Sequence, residues 1–140
     1  MSYHYGQTSR GRLATCHKDL QKIMNIAIQQ MDISILQGYR DEETQNIAYA
    51  RGQSKLKYPD SKHNKVPSMA VDAAPYPIDW DDTERFAHMV GIVQGIARVL
   101  YNNGEIEHLV RSGADWDKDN DFTDHSLLDW PHLELYKPDA

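Results

Sequence analysis

Cysteine, long apolar runs and excess positive charge are all scarce in this sequence, and each scarcity excludes something. Cys16 is the single cysteine, so no disulfide can form within the chain and we expect a fold that is stable in a reducing compartment. No apolar run approaches the roughly 20 residues that a membrane-spanning helix needs, so no membrane insertion is expected. The formal net charge of −6 argues against nucleic acid as the main partner.

An export signal is also missing from the expected place. The first residues, Met1-Ser2-Tyr3-His4-Tyr5-Gly6, form neither a basic nor an apolar segment, so we expect synthesis and retention in the cytoplasm. What is present is typical of a globular protein, with 40% hydrophobic and 26% charged residues. A chain of 140 residues suits one domain, spanning residues 1–140, and we expect it to be a monomer.

Two amphipathic helices are the clearest elements. One apolar helix face is predicted by the spacing of Leu20, Ile23, Met24, Ala27, Ile28 and Met31. A second is predicted by Phe86, Met89, Val90, Val93, Ala97, Leu100 and Tyr101, and Asn103-Gly104 should end that helix. A shorter helix should begin after an N-cap at Asp41 and run to about Ala50, whereas residues 1–12 are expected to be irregular.

Four short segments have strand character. They are the stretch from Ile33 towards Arg40, then Ala70–Ala74, Ile106–Val110 and Leu133–Tyr136. Helices and strands do not alternate regularly, which argues against a parallel sheet. The predicted fold class is α+β, with a small antiparallel sheet packed with two or three helices.

Candidate metal ligands lie on three of these segments. His63 is in a long loop, Asp72 is in the middle of the apolar strand that follows, and His132 directly precedes the last strand. Adjacent strands are about 4.8 Å apart, so these side chains can meet at one ion. Two imidazoles and a carboxylate suit catalytic zinc, but also the non-haem iron of oxygenases. The alternative for Asp72 is pairing with an arginine or backbone N–H groups.

Two further residues could complete a catalytic site. Asp129 lies three positions before His132 and could take a proton from a metal-activated water, or could simply cap the turn before the strand. Arg40 lies at a strand end, where it could stabilise a developing oxyanion or remain an ordinary surface arginine.

These motifs carry a family resemblance. Ser61-x-His63 followed by Ala70-Val71-Asp72, and Asp129-x-x-His132-x-Glu134, resemble the VanY/D-Ala-D-Ala carboxypeptidase-like zinc peptidases. The likeness is greatest to the single-domain L-alanyl-D-glutamate endopeptidases that phages use as endolysins. One departure is the loop between His63 and Asp72, which is longer than in the family and has Pro67-Ser68 in place of a glycine.

The resemblance implies a fold like that of hedgehog domains and D-Ala-D-Ala peptidases. It implies Zn²⁺ bound by His63, Asp72 and His132, with Asp129 as general base and Arg40 as electrostatic stabiliser. Ser61 and Trp130, beside these motifs, are candidate substrate-binding residues.

The function that it implies is zinc-dependent hydrolysis of peptidoglycan stem peptides, at the L-Ala–D-Glu bond, in phage-driven host lysis. We expect no separate cell-wall-binding domain. The enzyme would be made in the host cytoplasm and would reach periplasmic peptidoglycan after release by another factor. Two alternatives share the scaffold: a D-Ala-D-Ala carboxypeptidase or dipeptidase, and a non-catalytic zinc-containing binding module of the hedgehog kind.

An acidic segment before the last strand is a candidate for a second metal. Its aspartates alternate in the manner of a calcium loop, although the glycine and final glutamate of an EF-hand are missing. The candidate Ca²⁺ ligands are Asp115, Asp117, Asp119, Asp121 and Asp124. The alternative is a solvated acidic loop without a bound ion.

Overall fold

The computed structural model describes residues 3–114 and 129–138. Its α-helices are α1 (Gln7–Leu13), α2 (Lys18–Ala27), α3 (Glu42–Ala50) and α4 (Thr83–Asn102), and Lys62–Asn64 form a short 3-10 helix. Its strands are β1 (Ile33–Gln37), β2 (Ala70–Pro75), β3 (Leu109–Gly113) and β4 (Asp129–Tyr136). In the part of the chain so described, no helix is long and apolar enough to cross a membrane.

The four strands form one antiparallel sheet in the order β1-β2-β4-β3. The predicted α+β class with a small antiparallel sheet is therefore confirmed, with four α-helices in the described ranges rather than two or three. Helix α4 packs against β2, β3 and β4, α2 packs against α4, and α1 packs against β1. The predicted apolar faces of α2 and α4 are buried in this core.

Strand alternation separates a core face of the sheet from a polar face. On β4, Leu133 and Leu135 are fully buried in the hydrophobic core. The intervening His132 and Glu134 must point to the other side, because successive side chains of a strand alternate. Asp72 occupies the corresponding place on β2, between core residues on either side. The polar face is where the candidate ligands meet.

The expectation that residues 1–12 are irregular is wrong, because α1 occupies Gln7–Leu13. This helix has little apolar periodicity, since Leu13 is its single buried residue. Polar contacts tie it to β1 at the edge of the sheet instead. The Ser9 hydroxyl accepts a hydrogen bond from the Ile35 N–H at 3.0 Å, and Arg12 donates one to the Ile35 carbonyl at 3.0 Å. The helix thus covers an edge that would otherwise expose unpaired backbone groups.

Two strand boundaries also differ from the prediction. Strand β3 begins at Leu109 rather than Ile106, and β4 begins at Asp129 rather than Leu133. His132 therefore lies inside a strand instead of preceding one. The longer strand lets backbone pairing, rather than a turn, set the direction of the His132 side chain.

Candidate active site

Three predicted ligands meet on the polar face of the sheet. His63 Nε2 lies 3.2 Å from Asp72 Oδ1 and 3.3 Å from His132 Nδ1, and His132 Nδ1 lies 3.3 Å from Asp72 Oδ1. The three donor atoms form a nearly equilateral triangle. Zinc bonds of 2.0–2.1 Å in a tetrahedron place neighbouring donors about 3.3 Å apart. The residues present therefore fit a tetrahedral zinc ion with its fourth position open.

Sheet register creates part of this arrangement. Asp72 on β2 pairs with His132 on β4 and, across a β-bulge, with Gln37 on β1. Burial would raise the pKa of Asp72, but its hydrogen bonds with His132 and His63 outweigh that effect and hold its pKa well below the usual range. The carboxylate is thus ionised, as a metal ligand must be.

The 3-10 helix before β2 presents His63. The Ser61 hydroxyl caps this helix by accepting a hydrogen bond from the His63 N–H at 3.2 Å. On the ring, Nδ1 lies 2.8 Å from the carbonyl oxygen of Gly38, which can only accept a hydrogen bond. The hydrogen of the neutral ring therefore belongs on Nδ1, and the lone pair of Nε2 faces the other two donors.

Gly38 lies in a place where no side chain fits. A Cβ there would lie 2.3 Å from Thr15 Oγ1 and 2.4 Å from the carbonyl oxygen of Arg12. The glycine lets the end of β1 pack directly on the turn after α1. That close packing fixes the carbonyl that orients His63.

His132 has a carboxylate at its second ring nitrogen. Nε2 lies 2.8 Å from Glu134 Oε1, which leaves Nδ1 for the donor triangle. Burial lowers the pKa of His132, but its hydrogen bonds to Asp72 and Glu134 outweigh burial and raise the pKa to about 9. A metal must therefore displace a proton from this ring at neutral pH.

Two glutamine side chains hold the guanidinium group of Arg40. Gln37 Oε1 accepts from Nε at 3.0 Å and from one terminal nitrogen at 2.7 Å, and Gln45 Oε1 accepts from the other at 2.9 Å. The fully buried Gln45 also donates to the Ser54 hydroxyl, so it connects Arg40 with the wall of the cleft. The guanidinium lies 3.7 Å from Asp72 Oδ2, next to the donor triangle.

Asp129 pairs with Gly113 at a bulge between β3 and β4. A Cβ on Gly113 would lie 2.3 Å from the Asp129 carbonyl oxygen and 2.8 Å from its Cβ. Asp129 is exposed overall, but partial desolvation of its carboxyl raises its pKa, and the negative charge of Asp72 raises it further. A carboxylate with a raised pKa is better able to hold a transferred proton.

The three candidate ligands, Arg40 and Asp129 line one cleft of about 820 Å³, which is large enough for a peptide segment. Its lining includes Arg40, Ser61, Asp129 and the three candidate ligands. Trp130 is instead partly buried against the hydrophobic core. A substrate-binding role for Ser61 or Trp130 stays a prediction, as do the metal ligands and the roles of Asp129 and Arg40.

A second group of donor atoms was not predicted from the sequence. His17, Asp19 and His108 also lie close enough together to be considered as metal ligands. Here, however, His108 Nδ1 is only 2.7 Å from Asp19 Oδ2, and His17 Nδ1 accepts a hydrogen bond from the Asp19 N–H at 3.0 Å. These are hydrogen-bond distances, and the lone pair of His17 Nδ1 is already used. The geometry fits a structural link better than a zinc site.

The candidate calcium ligands lie outside the described residues, so calcium binding stays a prediction. Sequence reasoning also missed the partners of the site, namely Gln37, Gln45 and Gly38 as well as the role of Glu134. The Asp129-x-x-His132-x-Glu134 motif contained a signal for Glu134, because positions two apart on a strand share a face. The glutamines carried no comparable signal, because amides at such positions are common on protein surfaces.

Comparison with known proteins places this chain in a family. The family model of phage L-alanyl-D-glutamate peptidases matches residues 1–136. The chain is 35% identical over 146 residues to the L-alanyl-D-glutamate peptidase of Escherichia phage T5, covering 96% of this chain and 99% of that protein. The solved structure of the Serratia marcescens L-Ala D-Glu endopeptidase ChiX has the same fold, with a TM-score of 0.72 and 23% identity over 95% of this chain and 90% of that one. The resemblance to this family is thus confirmed, and the chain belongs to the phage L-alanyl-D-glutamate peptidase family.

Proposed function

We propose that this protein is a zinc-dependent endopeptidase that hydrolyses the L-Ala–D-Glu bond of peptidoglycan stem peptides. The observation that carries the proposal is the triangle of donor atoms from His63, Asp72 and His132, with edges of 3.2–3.3 Å, in a peptide-sized cleft. Family membership supports the choice of bond, because the phage T5 relative is an L-alanyl-D-glutamate peptidase. Zinc bound by these residues would supply a water of lowered pKa and polarise the scissile carbonyl group.

The chain's own residues divide the remaining work. Asp129 accepts the proton of the attacking water and passes it to the leaving amine of D-Glu, which its raised pKa favours. Arg40, held by Gln37 and Gln45, directs positive charge at the carbonyl oxygen as negative charge develops there. Because the two glutamines are neutral, they orient the guanidinium group without cancelling its charge.

The biological setting follows from the same proposal. The protein would act as a phage endolysin during host lysis, as a monomer of one catalytic domain. It would be made in the host cytoplasm and would meet periplasmic peptidoglycan once another factor had released it. Calcium bound by Asp115, Asp117, Asp119, Asp121 and Asp124 would act on the segment just before Asp129 and so link activity to a calcium-rich compartment.

Digestion of purified peptidoglycan, followed by mass spectrometry of the products, tests the proposed bond. We expect stem peptides that begin with D-Glu, together with glycan strands that keep L-Ala. Release of D-Ala alone would instead identify a carboxypeptidase or dipeptidase. An intact substrate with zinc-loaded protein would favour a binding module and contradict the proposal.

A further inference from the structure

Glu134 is a buried carboxylate on the same face of β4 as His132. Its side chain is 7% exposed, and Oε1 lies 2.8 Å from His132 Nε2. The imidazole therefore lies between two acceptors, with Asp72 at Nδ1 and Glu134 at Nε2. A buried charge is costly unless it is paired, so the position of Glu134 needs an explanation.

Two cations hold the other oxygen of this carboxylate. Arg111 donates to Glu134 Oε2 at 2.7 Å, and Lys62 Nζ lies 3.3 Å from the same oxygen. Arg111 is the cross-strand partner of Glu134 on β3, and Lys62 comes from the 3-10 helix that carries His63. The carboxylate is thus held from two directions while its Oε1 remains directed at His132.

We propose that Glu134 is a positioning residue for the metal site. It accepts the Nε2 hydrogen of His132, which fixes the tautomer with the Nδ1 lone pair directed at the metal. When the hydrogen-bond acceptor is a carboxylate rather than a neutral group, the imidazole is also a stronger electron-pair donor to the metal. The inference rests on the proposed zinc site. It adds that the two histidine ligands differ in the charge of the group that orients each ring. His63 is oriented by the neutral carbonyl of Gly38, whereas His132 is oriented by a charged group.

The competing explanation is an ion pair that only joins β3 to β4. Both explanations predict a less stable protein when Glu134 is changed, so stability does not separate them. Metal affinity separates them, because a link between strands has no reason to alter the donor strength of His132. Loss of such an acceptor next to a metal-bound histidine typically weakens metal binding about 10–100-fold.

The test is a zinc titration of the Glu134→Gln variant against a competing chelator, beside the wild-type protein. We expect the Kd for zinc to rise about 10–100-fold, because glutamine keeps the size of the side chain but loses its charge. The visible absorption of the Co²⁺-substituted protein should change as well, since it reports the geometry around the metal. Glu105→Gln is the matched control, because Glu105 forms an exposed ion pair with Lys22 at 3.3 Å. Its Kd should stay at the wild-type value.

A second variant keeps the test decisive if Glu134→Gln does not fold. Glu134→Asp keeps the charge between Lys62 and Arg111 but withdraws the oxygen from His132, so it should also bind zinc more weakly. Wild-type zinc affinity in either folded variant would overturn the inference and leave an ion pair between strands. None of these measurements uses peptidoglycan. The inference about Glu134 can therefore fail while the proposed cleavage stands, and the proposed cleavage can fail while the inference stands.

Discussion

At the scale of single residues, the candidate site consists of a few polar groups and the neighbouring residues that orient them through hydrogen bonds. His63 and His132 each direct one nitrogen at the donor triangle because the other nitrogen has a fixed partner. Arg40 is oriented in the same way, because two amide oxygens accept hydrogen bonds from its guanidinium group. The chemistry of each group therefore depends on residues that take no direct part in it.

Asp129 is predicted to be needed for turnover but not for zinc binding. Asp129→Asn removes the proton acceptor while keeping the size of the side chain, so kcat should fall about 10²–10⁴-fold. Zinc content should stay at one ion per chain by elemental analysis. Asp60→Asn, which changes another carboxylate of the same cleft, is the control and should keep most activity. Near-native kcat in the Asp129 variant would remove this residue from the mechanism.

Arg40 is predicted to act on the transition state. Arg40→Ala should lower kcat/KM by the equivalent of about 2.7–4 kcal/mol, the usual effect of losing one oxyanion donor. Arg51→Ala removes an exposed arginine from the same cleft and should have a much smaller effect. Steady-state kinetics and zinc content of both variants are the measurements. An equal loss of kcat/KM in both variants would show that position in the cleft, rather than the glutamine-held geometry, determines the role of an arginine. An unchanged kcat/KM in Arg40→Ala would remove Arg40 from the mechanism.

At the scale of elements, His17, Asp19 and His108 join the start of α2 to the segment before β3. Asp19 Oδ2 accepts hydrogen bonds from His108 Nδ1 at 2.7 Å and from the Glu107 N–H at 3.0 Å. Burial would raise the pKa of Asp19, but these hydrogen bonds outweigh it and lower the pKa. A carboxylate with a lowered pKa stabilises the fold while it is ionised.

Asp19→Asn should therefore destabilise the metal-free protein by about 1–3 kcal/mol near pH 7. The Asp19 contribution is present above the unfolded-state pKa of about 3.9 and is lost as pH falls through the lower folded-state value. The difference between variant and wild type in urea unfolding should accordingly shrink in acid. Zinc stoichiometry should not change, and loss of a bound zinc in this variant would mean that the group is a metal site after all.

The elements also show where sequence reasoning succeeds and where it ends. Periodicity identified α2 and α4, because burial of one helix face leaves a regular apolar pattern, and a short apolar run identified the strand that carries Asp72. It missed α1, whose contacts with β1 are polar, and it placed the start of β4 too late. The candidate ligands followed from a motif, whereas the pairing of Asp72 with His132 depends on register between distant strands. No local pattern contains that information.

At the scale of the whole molecule, the donor triangle joins three separate parts of the chain. His63 comes from the 3-10 helix, Asp72 from β2 and His132 from β4. Only the folded state holds these donor atoms 3.2–3.3 Å apart, close enough to share one ion. Zinc should therefore bind the native protein far more tightly than the unfolded chain, and binding should stabilise the fold.

Zinc removal is predicted to lower the melting temperature. Free zinc at 100 times its Kd adds about 2.7 kcal/mol of stability, which corresponds to roughly 10 °C in Tm for a domain of this size. Differential scanning calorimetry with and without a chelator measures the shift. His63→Ala, Asp72→Ala and His132→Ala should each abolish both the shift and the bound zinc. Stoichiometric zinc in all three variants would show that the ligands are assigned wrongly.

The bulge at Gly113 makes position 113 sensitive to substitution, although a glycine carries no reactive group. The backbone and Cβ of Asp129 occupy the space that any side chain at position 113 would need. Gly113→Ala would therefore displace the proposed base while every reactive group kept its chemical identity. A random screen for inactive variants should recover position 113 together with the charged residues of the cleft. The residue found there would be essential through the atoms that it lacks.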